Sequence, residues 1–167
     1  MVPAIKEGDF CLAETGAILQ YIAESRNLTE WYPTDHKLRA QTCFWLHWHH
    51  ENSRKATKGV LHYMLFPKLA IKDPEKQAAD KKAFMRSLTM LESYLKNSNQ
   101  KFLVYNKPTI ADLLIISEFN QLTSQAFNLF DFSPYPEIIK WMISMEKIKK
   151  YNEVFQPVIE IAKKLSK

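Results

Sequence analysis

The stretch Pro108-Thr109-Ile110-Ala111-Asp112 constrains this chain more than any other. Thr109 is placed to accept from the backbone N–H three residues on, and Asp112 to reach back to the N–H of Thr109. That reciprocal pair satisfies two of the four donors that a helix start leaves orphaned. Pro108 just outside stops the helix from winding backwards through its cap. From Ile110 to Phe119 the sequence is apolar almost all round, and its one charge before Glu118 belongs to the cap. Such a segment predicts a helix buried on every side. Losing the cap costs about 1 kcal/mol. Asp112→Asn is expected to cost less than Thr109→Ala, because an amide still accepts the reciprocal bond.

A helix buried all round needs other helices to bury it, and the chain supplies them. With only 3 glycines, a sheet-rich fold with many tight turns is disfavoured. The convincing strands are Val2-Pro3-Ala4-Ile5 and Phe10-Cys11-Leu12, flanking Lys6-Glu7-Gly8-Asp9, which reads as a hairpin. Thr15 is expected to cap a helix with Ile18, Tyr21 and Ile22 on one face. Trp31-Tyr32-Pro33 closes a linker. One long helix is expected from Asp35 to about Met64, with Leu38, Trp45, Trp48 and Asn52 along a stripe and Pro67 ending it. Asp73-Pro74 starts another, with Phe84, Leu88, Leu91 and Leu95 inward and Asn97-Ser98-Asn99 as its stop. The capped helix is expected to fade near Phe127. Ser133-Pro134-Tyr135-Pro136 opens a helix lined by Ile138, Trp141, Met145 and Ile148. A last helix is expected to bury Phe155, Val158, Ile161 and Leu165. Five helices around one apolar centre make a bundle.

A length of 167 residues suits one domain, or one domain plus a fragment of another, and 46% hydrophobic residues suffice for a core. The net charge of +5 is carried by lysines spread over helix faces and the tail, among them Lys147, Lys149, Lys150, Lys163, Lys164 and Lys167. Spread charge reads as a solvated surface with a mild attraction for small anions, and no nucleic-acid partner is expected. Cys11 and Cys43 stand in no metal-ligand spacing. With no signal peptide and no apolar run near 18 residues, a soluble, cytoplasmic, thiol-reduced protein without a membrane partner is expected.

Taken together, the motifs resemble the glutathione transferases, and the theta class in particular, over essentially the whole chain. The opening Val-Pro-x-x-x-x-Gly-Asp-Phe-x-Leu-x-Glu-Thr-x-Ala-Ile resembles that family's third strand, fourth strand and third helix. Trp31-Tyr32-Pro33, the segment from Trp48 to Arg54, and Pro108 to Asp112 follow in the family's order and approximate spacing. The resemblance implies a mainly α fold. Residues 1–26 would be the C-terminal part of a thioredoxin-like domain, a β-β-α segment. Residues 27–34 would be a linker, and 35–167 an all-α C-terminal domain. The strand, helix and strand that open the family's thioredoxin-like domain would precede Met1. With them would come the Ser hydroxyl that activates the glutathione thiol in theta-type members; no residue here matches it. Tyr105 also departs from the family, which often has Gly in the turn before the capped helix.

Glutathione binding needs a carboxylate for the amine, donors for the γ-glutamyl carboxylate and an exposed backbone edge for the cysteinyl part. Glu14 offers the first, and Thr15 with a helix N-terminus the second; a plain helix cap is the other reading of the pair. Pro3 matches the family's cis-proline, beside which the Val2 backbone would pair with the ligand like a strand; an edge-strand trans proline is the alternative. Glu51 and Arg54 sit three apart on a helix, which by itself suggests a surface ion pair. The resemblance instead places Glu51 where theta-type members reach the partner subunit's glutathione. It places Arg54 beside the thiol, where it would assist ionisation. His47, His49, His50 and Glu51 invite a metal reading, but no convincing third ligand joins them from another element, and no metal is expected. Trp45, Trp48, Tyr63, Met64 and Phe66 wall an apolar cosubstrate pocket beside Arg54, or are simply core.

The function implied is a theta-type, detoxifying glutathione transferase. Glutathione would be its cosubstrate, a small apolar electrophile its second substrate, and a homodimer its assembly; no bound cofactor is implied. Without the activating hydroxyl, the 167-residue form is expected to turn over slowly. The alternative is a non-catalytic dimerisation or protein-interaction module of the same fold.

Overall fold

The computed structural model describes residues 2–165, with Leu69 and Ala70 described by their backbone alone. Strands β1 (Ala4–Glu7) and β2 (Phe10–Ala13) pair antiparallel, from Ala4 opposite Ala13 to Glu7 opposite Phe10. Gly8 takes the turn at φ 58, where a residue without Cβ pays no steric penalty. Helix α1 (Thr15–Ser25) follows, and the Tyr21 hydroxyl donates to Glu7 Oε2 at 2.5 Å, tying helix to strand. Thr15 does not cap this helix. Glu14 holds the N-cap position at φ 73, no side chain caps it, and Thr15 is the first helical residue. Of the face expected inward, Ile18 is buried, Tyr21 half-buried and Ile22 exposed.

The connection to the bundle is docked along its length. The Trp31 carbonyl accepts the Ile110 N–H at 2.9 Å, and the Tyr105 hydroxyl donates to the Glu30 carbonyl at 2.9 Å. Tyr32 and Pro33 are buried, and the Arg39 guanidinium sits 4.4 Å from the Tyr32 ring centre while donating to the Pro33 carbonyl. Tyr105, the departure from the family's glycine, thus fastens the linker to the turn before the capped helix.

Helix α2 (His36–Glu51) starts on Asp35, whose carboxylate accepts from the N–H groups of Lys37 and Leu38. It stops well short of Met64. The Asn52 amide donates to the Trp48 carbonyl and accepts from the Ser87 hydroxyl, drawing the chain off the helical path. After a turn over residues 52–54 the backbone is helical again at 55–56 and runs through a π-helical turn, Thr57–Leu61, into the short helix α3 (His62–Leu65). Gly59 in the π turn presses against α5 (Pro74–Asn97): a Cβ there would lie 2.8 Å from the Asp80 carbonyl oxygen. The helical run stops at Leu65, just before Pro67, as the sequence predicts, and Pro67 also opens a further short helix, α4 (Pro67–Lys72). α5 begins as the sequence predicts, with Asp73 accepting from the Lys76 N–H, and it buries Phe84, Leu88, Leu91 and Leu95.

Helix α6 (Ile110–Asn120) is the centre. The capping box is present, and Asp112 does more than cap. Its Oδ2 accepts from the Thr109 N–H and hydroxyl, both at 2.8 Å. Its Oδ1 accepts from the Leu103 N–H and the Trp141 indole, both at 2.9 Å. Burial pushes this carboxyl above the usual range, and those bonds pull against the shift. The helix ends at Asn120 and does not reach Phe127. The Thr123 hydroxyl takes the Asn120 carbonyl, and the chain passes into turns, a hydroxyl competing with the helical ladder. α7 (Pro136–Glu146) is capped from another helix, its Glu137 and Ile138 N–H groups donating to Glu92 of α5. α8 (Tyr151–Leu165) buries Tyr151 and Ala162, half-buries Phe155 and Val158, and leaves Ile161 and Leu165 exposed. Among the described residues no helix is long and apolar enough to cross a membrane.

Candidate functional site

The expectation that α6 is buried on every side fails along one stripe. Leu113 is half-buried, Ser117 is exposed and Gln121 half-buried, and these residues are spaced four apart on one face. That stripe walls a cleft of about 600 Å³. The opposite wall is the start of α1 and the residues before β1, and the rim is the end of α2 with the turn after it. Val2, Pro3, Glu14, Thr15, Glu51 and Arg54 all line this cleft, although they come from three separate parts of the chain.

Local structure explains how each is presented. The Val2–Pro3 peptide is cis, and Val2 is 94% exposed, beyond the Ala4 end of the strand ladder. Glu14 holds a left-handed backbone that a residue with a Cβ adopts only at a cost of about 1–3 kcal/mol. Among the described residues its carboxylate takes no hydrogen-bond or ion-pair partner. Because Thr15 is not the cap, its hydroxyl and the first N–H groups of α1 remain available at the cleft wall, an arrangement that favours anions.

Glu51 and Arg54 do not pair with each other. α2 ends between them, and Glu51, 80% exposed, bonds to Lys55 at 3.3 Å. Arg54 reaches across to α6, where its Nη1 donates to Glu118 Oε1 at 2.7 Å. The Glu118 side chain is 6% exposed, and its other oxygen accepts from the Thr57 hydroxyl in the π turn. His49 stands behind the pair, with Nε2 3.7 Å from Glu118 Oε1 and Nδ1 bonded to the Ser53 hydroxyl at 2.9 Å. Burial, and then the charge of Arg54, lowers the His49 pKa to about 4, so the ring is neutral near pH 7. Glu118 is the residue that sequence reasoning missed. Its signal was present: a carboxylate in an otherwise apolar helix must find a partner or stay out of the core.

One other expectation, the aromatic pocket, changes, and the histidines stand in different surroundings. His47 is exposed and bonded to the Cys43 carbonyl, His49 is buried, and His50 lines the cleft. Among the described residues no three His, Cys, Asp or Glu side chains converge as metal ligands would. Trp45, Trp48, Tyr63, Met64 and Phe66 do not line the cleft. Trp45 packs edge-on against Tyr94 and Trp48, the Tyr63 hydroxyl donates to Asp80, and Phe66 lies exposed against His62. The apolar surface beside Arg54 comes from Leu19, Leu113 and Leu114 instead.

Residues 56–149, more than half the chain, match the family described as glutathione S-transferase, C-terminal domain. The chain belongs to the glutathione S-transferase family. Glutathione S-transferase T3 of Arabidopsis thaliana is 34% identical over 93% of this chain and 28% of its own length. Mouse glutathione S-transferase theta-2 is 34% identical over 87% of this chain and 59% of its own length. The chain therefore spans less than two thirds of either relative's length. Human glutathione transferase theta-2, solved in complex with glutathione, shares the fold. Its TM-score is 0.77 at 24% identity, over 99% of this chain and 70% of its own.

Proposed function

We propose that this transferase binds glutathione in the α1–α6 cleft and adds its thiolate to small apolar electrophiles, as theta-type members of the family do. The observation that carries the reading is convergence: six residues from three separate parts of the chain meet around one cleft. Glu14 would take the amine, Thr15 and the α1 N-terminus the γ-glutamyl carboxylate, and the exposed Val2 backbone the cysteinyl part. Arg54 would stand by the thiol and favour the thiolate, whose acid has an ordinary pKa of about 8.5. Leu19, Leu113 and Leu114 would receive the electrophile. Glu51, exposed at the rim, would act across a homodimer interface.

Calorimetric titration with glutathione, alongside conjugation of a small alkyl or aryl halide, tests this reading. Saturable binding lost in Glu14→Ala, with conjugation above the uncatalysed rate, is the expected result. Binding without conjugation would favour the non-catalytic interaction module, and absence of binding would refute the proposal.

A further inference from the structure

We infer that Glu118 is a positioning residue for Arg54, holding the guanidinium in the cleft mouth so that its remaining N–H groups face the bound thiol. This rests on the glutathione reading above and adds a role on α6 to it. Arg54 lies in the turn that follows α2, where its N–H donates to the His49 carbonyl and its carbonyl accepts from the Lys58 N–H; these bonds hold the backbone and leave the long side chain to be fixed by other contacts. Its side chain is 44% exposed, and in water a long cationic side chain samples many rotamers. One bond removes that freedom, from Nη1 to Glu118 Oε1 at 2.7 Å. A charge-assisted bond to a carboxylate is roughly twice as strong as a neutral one. Glu118 is itself immobilised by the Thr57 hydroxyl on its other oxygen and by its place on a packed helix. Gln121, just past the end of α6, also donates to the Thr57 hydroxyl at 3.4 Å.

His49 is placed to exclude a competing arrangement. Its Nε2 lies 3.7 Å from the oxygen that Arg54 uses, but Ser53 holds the other nitrogen and the ring is uncharged near neutral pH. The carboxylate is thus left to the guanidinium. The other charged or titratable groups facing the cleft are Glu14, His50, Glu51 and Lys58.

Two measurements on the full chain test the role, with Glu118→Gln as the variant that keeps size and one acceptor but removes the charge. The first needs no ligand: NMR relaxation of the Arg54 Nε–H group. A rigid wild-type signal that becomes mobile in Glu118→Gln is expected; an equally rigid signal in the variant overturns the inference. The second is the pKa of bound glutathione thiol, read from thiolate absorbance. Arg54→Ala should raise it by about one pH unit. In a Glu118→Gln background the same change should have much less effect, and additive effects would overturn the inference. If no variant binds glutathione while Glu118→Gln still frees Arg54, the glutathione reading falls and the positioning role stands.

Discussion

Replacing Asp112 with asparagine should harm this protein more than removing the Thr109 side chain, the reverse of what the capping motif alone suggests. The carboxylate serves four donors, two on each oxygen, at 2.8–2.9 Å. Asparagine has one acceptor oxygen, so two donors keep a partner and two face an NH₂ group. Each buried donor left unmatched costs about 1–3 kcal/mol, which puts the two of Asp112→Asn on the order of 2–6 kcal/mol. Thr109→Ala removes one hydroxyl and leaves the N–H bond to Asp112 in place, a loss of about 1 kcal/mol. Against a total stability of roughly 5–15 kcal/mol the two are readily separated. Urea unfolding followed by far-UV circular dichroism gives both values, and the Trp141 indole N–H resonance reports locally on Oδ1. Trp141→Phe should cost less in the Asp112→Asn background than in the wild type, since one of the mismatched donors is then gone. An Asp112→Asn loss equal to or below that of Thr109→Ala would refute the reasoning.

His49 links stability to pH. Its folded pKa is about 4 against 6.5 unfolded, so the unfolded chain takes up the proton first as pH falls. Stability from this group is complete above pH 6.5 and is lost progressively toward pH 4, by up to about 3 kcal/mol. His49→Asn, which keeps a nitrogen or oxygen for Ser53, should flatten the urea midpoint between pH 6.5 and 5; parallel curves would contradict this. Glu14→Ala should leave stability within about 0.5 kcal/mol, because the exposed carboxylate has no intramolecular partner, while abolishing glutathione binding. A concurrent collapse of the fold would mean that Glu14 is structural. Sedimentation should show a dimer at micromolar concentration, weakened by Phe44→Asp because Phe44 is 58% exposed on α2. Only monomer for the wild type would rule the dimer out.

The sequence was most legible where a local rule was also the global one. Asp73-Pro74, Asp35 and Thr109–Asp112 start helices where their chemistry says they should, because a cap acts within four residues of itself. The Phe84-Leu88-Leu91-Leu95 stripe was readable for the same reason, since packing only completes what periodicity begins. The errors lie where a distant partner decides. α2 stops at Glu51 because Asn52 finds Ser87 on another helix, and nothing near Asn52 announces that. Arg54 leaves Glu51 for Glu118, 64 residues away. Thr15 looked like a cap because Thr usually is one, but the left-handed backbone at Glu14 moved the helix start by a residue. The six site residues could be chosen only through the family's pattern; their spacing alone allowed a helix cap, an edge proline and a surface ion pair.

Asp112 and Glu118 occupy the same helix, six residues and about 9 Å apart along its axis. One anchors the helix to Trp141 and Leu103, and the other holds a side chain at the cleft. α6 is therefore a ruler as well as a core element: its rotation is set at one end and read at the other. One residue inserted or deleted between them would turn the Glu118 carboxylate by about 100° away from Arg54 while Asp112 still held its four donors. Lineages of this fold should accept substitutions at the intervening positions far more readily than any change in their number. A designer who wants a different group at the cleft should change a side chain on this helix and leave its length alone.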